Sequence, residues 1–271
     1  MIATVGLDLP GHSGKARRMK HKSCLAIILA GLGGCATPVT PGEHRGAIFA
    51  LASAPSSGDF NIEAEIQRVS PQIEQFFGGR LRGPVEVTLA RDRAEFDGAI
   101  PATWGLTPTQ CWMVGVGVAD RLVLMGPDAW GAHACDHRPG DKAEARAILH
   151  HELVHVYHGQ HNPSDQFAGM DDAGWFVEGL AVYASGDATR RLAETKVAVA
   201  AGEGPSALAS AWSGKHRYGV SGSMIQFIDE NLGRDMLVSL LSATSNAEIM
   251  ARLGTTETRF LHDWTEWLRR K

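Results

Sequence analysis

Residues 149–156 read Leu-His-His-Glu-Leu-Val-His-Val, and the spacing of their apolar and polar members decides what this part of the chain becomes. Leu149, Leu153 and Val156 share one face of a helix that opens near Asp141. Inside it stands His151-Glu152-Leu153-Val154-His155, an HExxH pattern. Residues four apart lie about 40° apart around a helix and one turn along it, so both imidazoles face the same side and can grip one metal ion. Glu152 projects toward that side without competing for the metal, placed to take a proton from a bound water. The apolar face holds the helix against a core and turns its histidines to a cleft.

A second stretch, Gly174-Trp-Phe-Val-Glu-Gly-Leu-Ala-Val-Tyr183, reads as a helix after Asp172 with Phe176, Leu180 and Tyr183 on its apolar side. Glu178 sits in its middle. An isolated carboxylate there is expensive to bury, and ligating a cation removes that expense. His151, His155 and Glu178 with one open water position form the ligand set expected of a catalytic site holding one zinc ion. His161 is the rival third ligand, falling where the HExxHxxGxxH pattern of metzincins has its last histidine. That pattern needs a turn-forming glycine at position 158, where this chain has His158, with Gly159 one step late. His158 shares the stripe of His151 and is either an outer support for the ligands or a solvated residue near the helix end. His150 is a neighbour without an assigned role.

With these residues in place, the sequence resembles the gluzincins, zinc peptidases in which HExxH is followed by a downstream glutamate. HELVH followed by WFVEGLAVY and short C-terminal helices is similar to the bacterial thermolysin-like peptidase MA group, over roughly Val85 to Leu268. The resemblance implies a zincin-like α+β fold, a peptide or protein substrate, His151, His155 and Glu178 as zinc ligands and Glu152 as general base. It departs at Val182, where thermolysin-like enzymes carry an acid four residues after the third ligand, so support for a ligating histidine must come from elsewhere, Asp171 and Asp172 being candidates. Related enzymes take the oxyanion donor from the following segment. Here that points to Tyr218 in His216-Arg-Tyr-Gly219, with Tyr183 and His216 behind it. Substrates of zincins commonly pair with an edge strand, for which Met113 to Val118 is the candidate. Two other function classes stay open: a catalytically silent zincin-fold lipoprotein acting as a binding or scaffold module, and a metal-dependent hydrolase of a non-peptide bond.

Outward from the motif, the two sides of the chain differ. Before residue 140, helical spacing from Phe60 to Phe77 is followed by strand-like runs at Val85–Ala90, Met113–Val118 and Arg121–Met125, with a turn near Asp120. After it the pattern is helical: Ser221 to Asn231, Arg234 to Ser242, a helix opened by the capping box Ser245-x-x-Glu248, and a last one bearing Phe260, Leu261, Trp264, Trp267 and Leu268. Strands first and helices after give an α+β domain, expected over residues 60–271, with a small mixed sheet and a helical C-terminal part. Gly, Ala and Ser enrichment around Ala200 to Ser213 marks a surface connection or a mobile loop beside the cleft.

The 271 residues carry 26 Lys and Arg against 30 Asp and Glu, a net charge of -4 that excludes nucleic acid as an expected partner. A basic run, Lys15 to Lys22, precedes the short apolar segment Cys24 to Gly34, too short to span a bilayer, and Leu32-Gly33-Gly34-Cys35 resembles a lipobox. Residues 1–35 therefore read as a lipoprotein signal, with Met1–Arg18 an optional upstream start before Met19. Residues 36–59, rich in Pro, Gly, Ser and Ala, read as a flexible tether. Expected localisation is export, with the chain anchored to the membrane of the bacterial envelope through lipid on Cys35. Cys111 and Cys135 are then the remaining pair in an oxidising setting, either bridged or separately buried.

Overall fold

The computed structural model describes residues 49–51 and 60–271. The expected signal segment, with Cys35, lies outside these residues, as does most of the expected tether. Within the tether, however, Phe49–Leu51 forms a strand, β1, paired in parallel with Val85–Val87. The tether assignment is corrected there. A short apolar segment covers backbone groups that an open sheet edge would leave unpaired.

Strands β2 (Val85–Ala90), β3 (Gly115–Val118) and β4 (Arg121–Met125) complete a mixed sheet in the order β1-β2-β4-β3. Strand β4 runs parallel to β2, while β3 turns back antiparallel onto β4 and forms an edge. Strand β3 begins two residues later than expected, because Met113 donates its amide to Gln110 in a turn. Helix α1 (Ile62–Phe77) lays Ile62, Ile66, Val69, Ile73 and Phe77 against the core, as its spacing requires. Helix α2 (Arg93–Ala99) follows β2, and the short α3 (Trp130–His133) precedes the motif helix.

A disulfide joins Cys111 to Cys135, with Cα atoms 5.3 Å apart. It ties the approach to β3 to the segment after α3. The Arg93 guanidinium fixes the same junction by donating to Thr109 Oγ1 and to the carbonyls of Cys111, Met113 and His133.

Helix α4 (Lys142–His161) carries the HExxH residues and is capped by Asp141, whose carboxylate accepts from the amides of Ala143 and Glu144. Its two halves differ from each other. Ala143 and Arg146 in the first half are exposed, whereas all residues from His151 to Gly159 are buried, so the motif half of α4 is enclosed on every side. Over it, β3 passes at backbone distance. A Cβ placed on Gly117 would stand 2.3 Å from the Glu152 carbonyl oxygen, which only glycine avoids.

The remainder is helical: α5 (Gly174–Ala184), α6 (Asp187–Ala200), α7 (Arg217–Leu232), α8 (Arg234–Ser239), α9 (Asn246–Leu253) and α10 (Glu257–Arg270). Helices α5 and α7 cross closely because Gly179 leaves room for the Ser221 carbonyl, 2.5 Å from where a Cβ would lie. The buried indoles are all satisfied: Trp175 donates to Asn246, Trp264 to Ser223 and Trp130 to the Met125 carbonyl. The connection from Ala200 to Ser213 is pinned where the Leu208 amide donates to Glu257, and Leu208 is buried. Among the described residues no helix is long and apolar enough to cross a membrane.

Candidate metal centre

Successive turns of α4 present His151 and His155, and the middle of α5 presents Glu178. Their Nε2 atoms stand 3.1 Å apart, and Glu178 Oε2 lies 3.4 Å from the first and 3.6 Å from the second. Among the described residues these three form the cluster placed to hold a metal ion. Three atoms with those separations lie on a circle of radius roughly 2.0 Å, the length of a bond from a divalent metal to imidazole nitrogen or carboxylate oxygen. The donor set fits one cation. The exposures of His151, His155 and Glu178 are 0, 0 and 2 %, so the ligands sit in a medium where an ionised carboxylate needs positive charge beside it.

Electrostatics agree with that need. Burial pushes the Glu178 carboxyl up, but His155 and His151 more than reverse it and hold the group at about 2, fully ionised. Burial lowers His151, whereas at His155 burial is outweighed by the charge and hydrogen bond of Glu178 together with the charge of Glu152, which raise it. Glu152, also unexposed, is pushed up to about 8 by burial first and the Glu178 charge second, tempered by His155 and the Gly117 amide. Neither of its oxygens makes a regular hydrogen bond. Burial thus favours the protonated form of Glu152, and positive charge placed beside it would favour the ionised form that a base needs.

The polar atoms without partners are concentrated here. Of the buried side-chain atoms lacking a hydrogen bond among the described residues, those of His151, His155, His158 and Glu152 belong to the HExxH turns, and Tyr218 Oη and Arg217 Nε belong to the start of α7. Gln226 Oε1 is the one elsewhere. Natural folds rarely leave such groups unpaired, so their gathering marks a place meant to be completed by something else.

Tyr218 is 5 % exposed, its ring edge-on to Trp212 with centroids 4.7 Å apart. Burial, then the charges of Glu178 and Glu152, push its phenol far above the ordinary range, which places the hydroxyl within their field as a proton-bearing donor. The two other donors considered are occupied elsewhere. Tyr183 donates to Asp229 at 2.7 Å, and His216 sits 3.3 Å from both Glu194 and Glu203.

His161 is not in the cluster. Helix α4 continues through it instead of turning back, so its ring stacks on Tyr157 at 4.1 Å and its Nδ1 meets the Tyr157 carbonyl. His158 is fully buried, with Nε2 on the Leu241 carbonyl and its ring against Phe167 and Phe176; burial holds it at about 3, hence neutral. His150 faces the Arg68 side of α4 and is lowered to about 4 by burial and that charge.

Asp172 supports α9 rather than a histidine, accepting from the Asn246 amide at 3.0 Å. Neither His151 nor His155 has a partner for Nδ1; the further acid acting on His151 is Asp187, buried at the start of α6 and paired with Arg190 and Arg191. The sequence patterns also passed over Arg217 and Gly117. Arg217 stands next to Tyr218 in the chain, and Gly117 is half of a Gly-Val-Gly-Val run, the only local traces either leaves.

Comparison with known proteins finds no matching family model, no matching curated protein and no matching solved structure.

Proposed function

We propose that this chain is a zinc-dependent peptide-bond hydrolase of the zincin type, exported and held at the bacterial envelope by lipid on Cys35. The observation that carries the reading is the convergence of His151, His155 and Glu178 at metal-bonding spacing with Glu152 unbonded beside them. One zinc ion held by these three residues would supply an acidified water and a Lewis acid for the substrate carbonyl. Glu152, unbonded beside the ligands, takes the water proton and returns it to the departing amine. The Tyr218 hydroxyl, buried and unpartnered, donates to the oxygen of the attacked carbonyl as negative charge grows there.

Strand β3 supports the peptide part of the reading. The Met125 amide donates to the Val114 carbonyl, so Val116 and Val118 also face β4, and the backbone groups of Gly115 and Gly117 point away from β4, the Gly117 amide toward Glu152 on this buried strand. A peptide laid there gains main-chain hydrogen bonds directly over the turn of Glu152.

A silent scaffold role draws on one observation, the near-zero exposure of all three ligands and Glu152. Retention of Glu152 counts against it, since a silent site needs no base. The deciding experiment measures bound zinc and peptide cleavage together, for the wild type and Glu152→Gln. Zinc at one equivalent in both, with cleavage only in the wild type, supports the hydrolase; zinc in both and cleavage in neither supports the scaffold.

A further inference from the structure

Arg217 is placed unlike other half-buried arginines among the described residues. Arg234 and Arg191 each hold an aspartate, and Arg93 gives its donors to Thr109 Oγ1 and three carbonyls. Arg217, half-buried, has no carboxylate partner among the described residues, and its Nε is shielded from solvent with no acceptor. Its Cζ lies 5.3 Å from the ring centres of both Trp212 and Tyr218, so the guanidinium packs against both aromatic rings. Leaving that Nε without an acceptor is expensive, and the planar guanidinium fork matches a carboxylate in shape and charge.

The neighbouring residue sharpens this. Tyr218, more than nine-tenths buried, also lacks a partner for its hydroxyl. Arg217 reaches the Tyr218 hydroxyl and holds the two donors side by side, though neither Tyr218 Oη nor Arg217 Nε makes a regular hydrogen bond; a ligand bearing two acceptors, one neutral and one anionic, a short distance apart would satisfy both.

We propose that Arg217 is a specificity-determining residue that binds a substrate carboxylate while Tyr218 engages the carbonyl next to it, so that the substrates are peptides bearing a carboxylate immediately beside the bond to be cut. Either the terminal carboxylate of the chain or an Asp or Glu side chain supplies that group. The proposal rests on the hydrolase reading for its substrate class, but binding tests it separately.

The test uses the full chain carrying Glu152→Gln, so that no peptide is consumed, and three acetylated peptides of one sequence. The first ends in a free carboxylate, the second is its C-terminal amide, and the third is that amide with Glu as last residue. Calorimetric titration reads affinity in this background and with Arg217→Gln or Arg217→Lys added, and circular dichroism checks that each variant is folded. The free acid should bind about tenfold more tightly than the plain amide; the preference should vanish with Arg217→Gln and survive in part with Arg217→Lys. An Arg217-dependent gain for the Glu-bearing amide in place of the free acid supports the proposal with a side-chain carboxylate as the ligand. Equal affinity for all three peptides, or a preference unchanged by Arg217→Gln, overturns it. An Arg217-dependent preference without cleavage of any peptide by the wild type leaves this assignment standing and removes the hydrolase reading. Cleavage without carboxylate preference does the reverse.

Discussion

Two polar clusters, one half-buried and one buried, are built on opposite terms. At the junction of α7 and α8, Arg234 grips both oxygens of Asp229, donates a third bond to the Phe76 carbonyl and stacks 3.5 Å over the Phe76 ring, while Tyr183 gives its hydroxyl to the same aspartate. That cluster is closed. Around α4, by contrast, Glu152, Tyr218 and Arg217 point polar atoms at no partner. A saturated cluster stabilises the fold; an unsaturated one gives up some stability to keep groups ready for a ligand. Substitutions should therefore separate the two, the first affecting stability and the second chemistry.

The largest effect is expected at Glu178→Ala, which leaves two donors from one helix. Metal affinity should fall at least a hundredfold, read as metal retained after dialysis, and cleavage should go with it. His161→Ala should retain full metal, and loss there would move the third ligand to His161. Next is Glu152→Gln, expected to keep the metal and cut kcat by about 10²–10⁴-fold; cleavage at the wild-type rate would remove Glu152 from the mechanism.

In the closed cluster, Asp229→Asn should cost about 2 kcal/mol of stability in urea melts with metal content unchanged. Burial alone would raise Asp229, but hydrogen bonds from Arg234 and Tyr183 hold it below its ordinary 3.8. A depressed folded-state pKa gives stability that is complete above that ordinary value and disappears as pH falls through the folded one. The difference between Asp229→Asn and wild type should thus be full at pH 7 and shrink below pH 4; a constant difference would mean the aspartate acts through shape. The smallest change is Ser223→Ala, which removes one neutral bond from Trp264 and should cost about 1 kcal/mol without touching activity.

What the sequence made legible was local. Asp141 as a cap, the strands at 85–90 and 121–125, and Ser245 with Glu248 are written within a few neighbouring residues, and each is found in place. Glu178 was legible because a charge in an apolar run demands an explanation. The cysteine pair was legible only as an alternative, and the structure joins it. Strand β1 was missed because its three residues gain meaning only from a partner far along the chain. The enclosure of α4 was missed because its polar residues look solvated until the elements around them are assembled. Arg217 was missed for a deeper reason: what distinguishes it is an acceptor that is not there, and no pattern of residue types records an absence.

The contact between Gly117 and the Glu152 carbonyl has a mechanical side. With no side chain between them to yield, strand and helix meet as two hard surfaces. A shift of β3 would press directly on the turn bearing Glu152, so any ligand docked along that strand would also bear on the aim of this carboxylate.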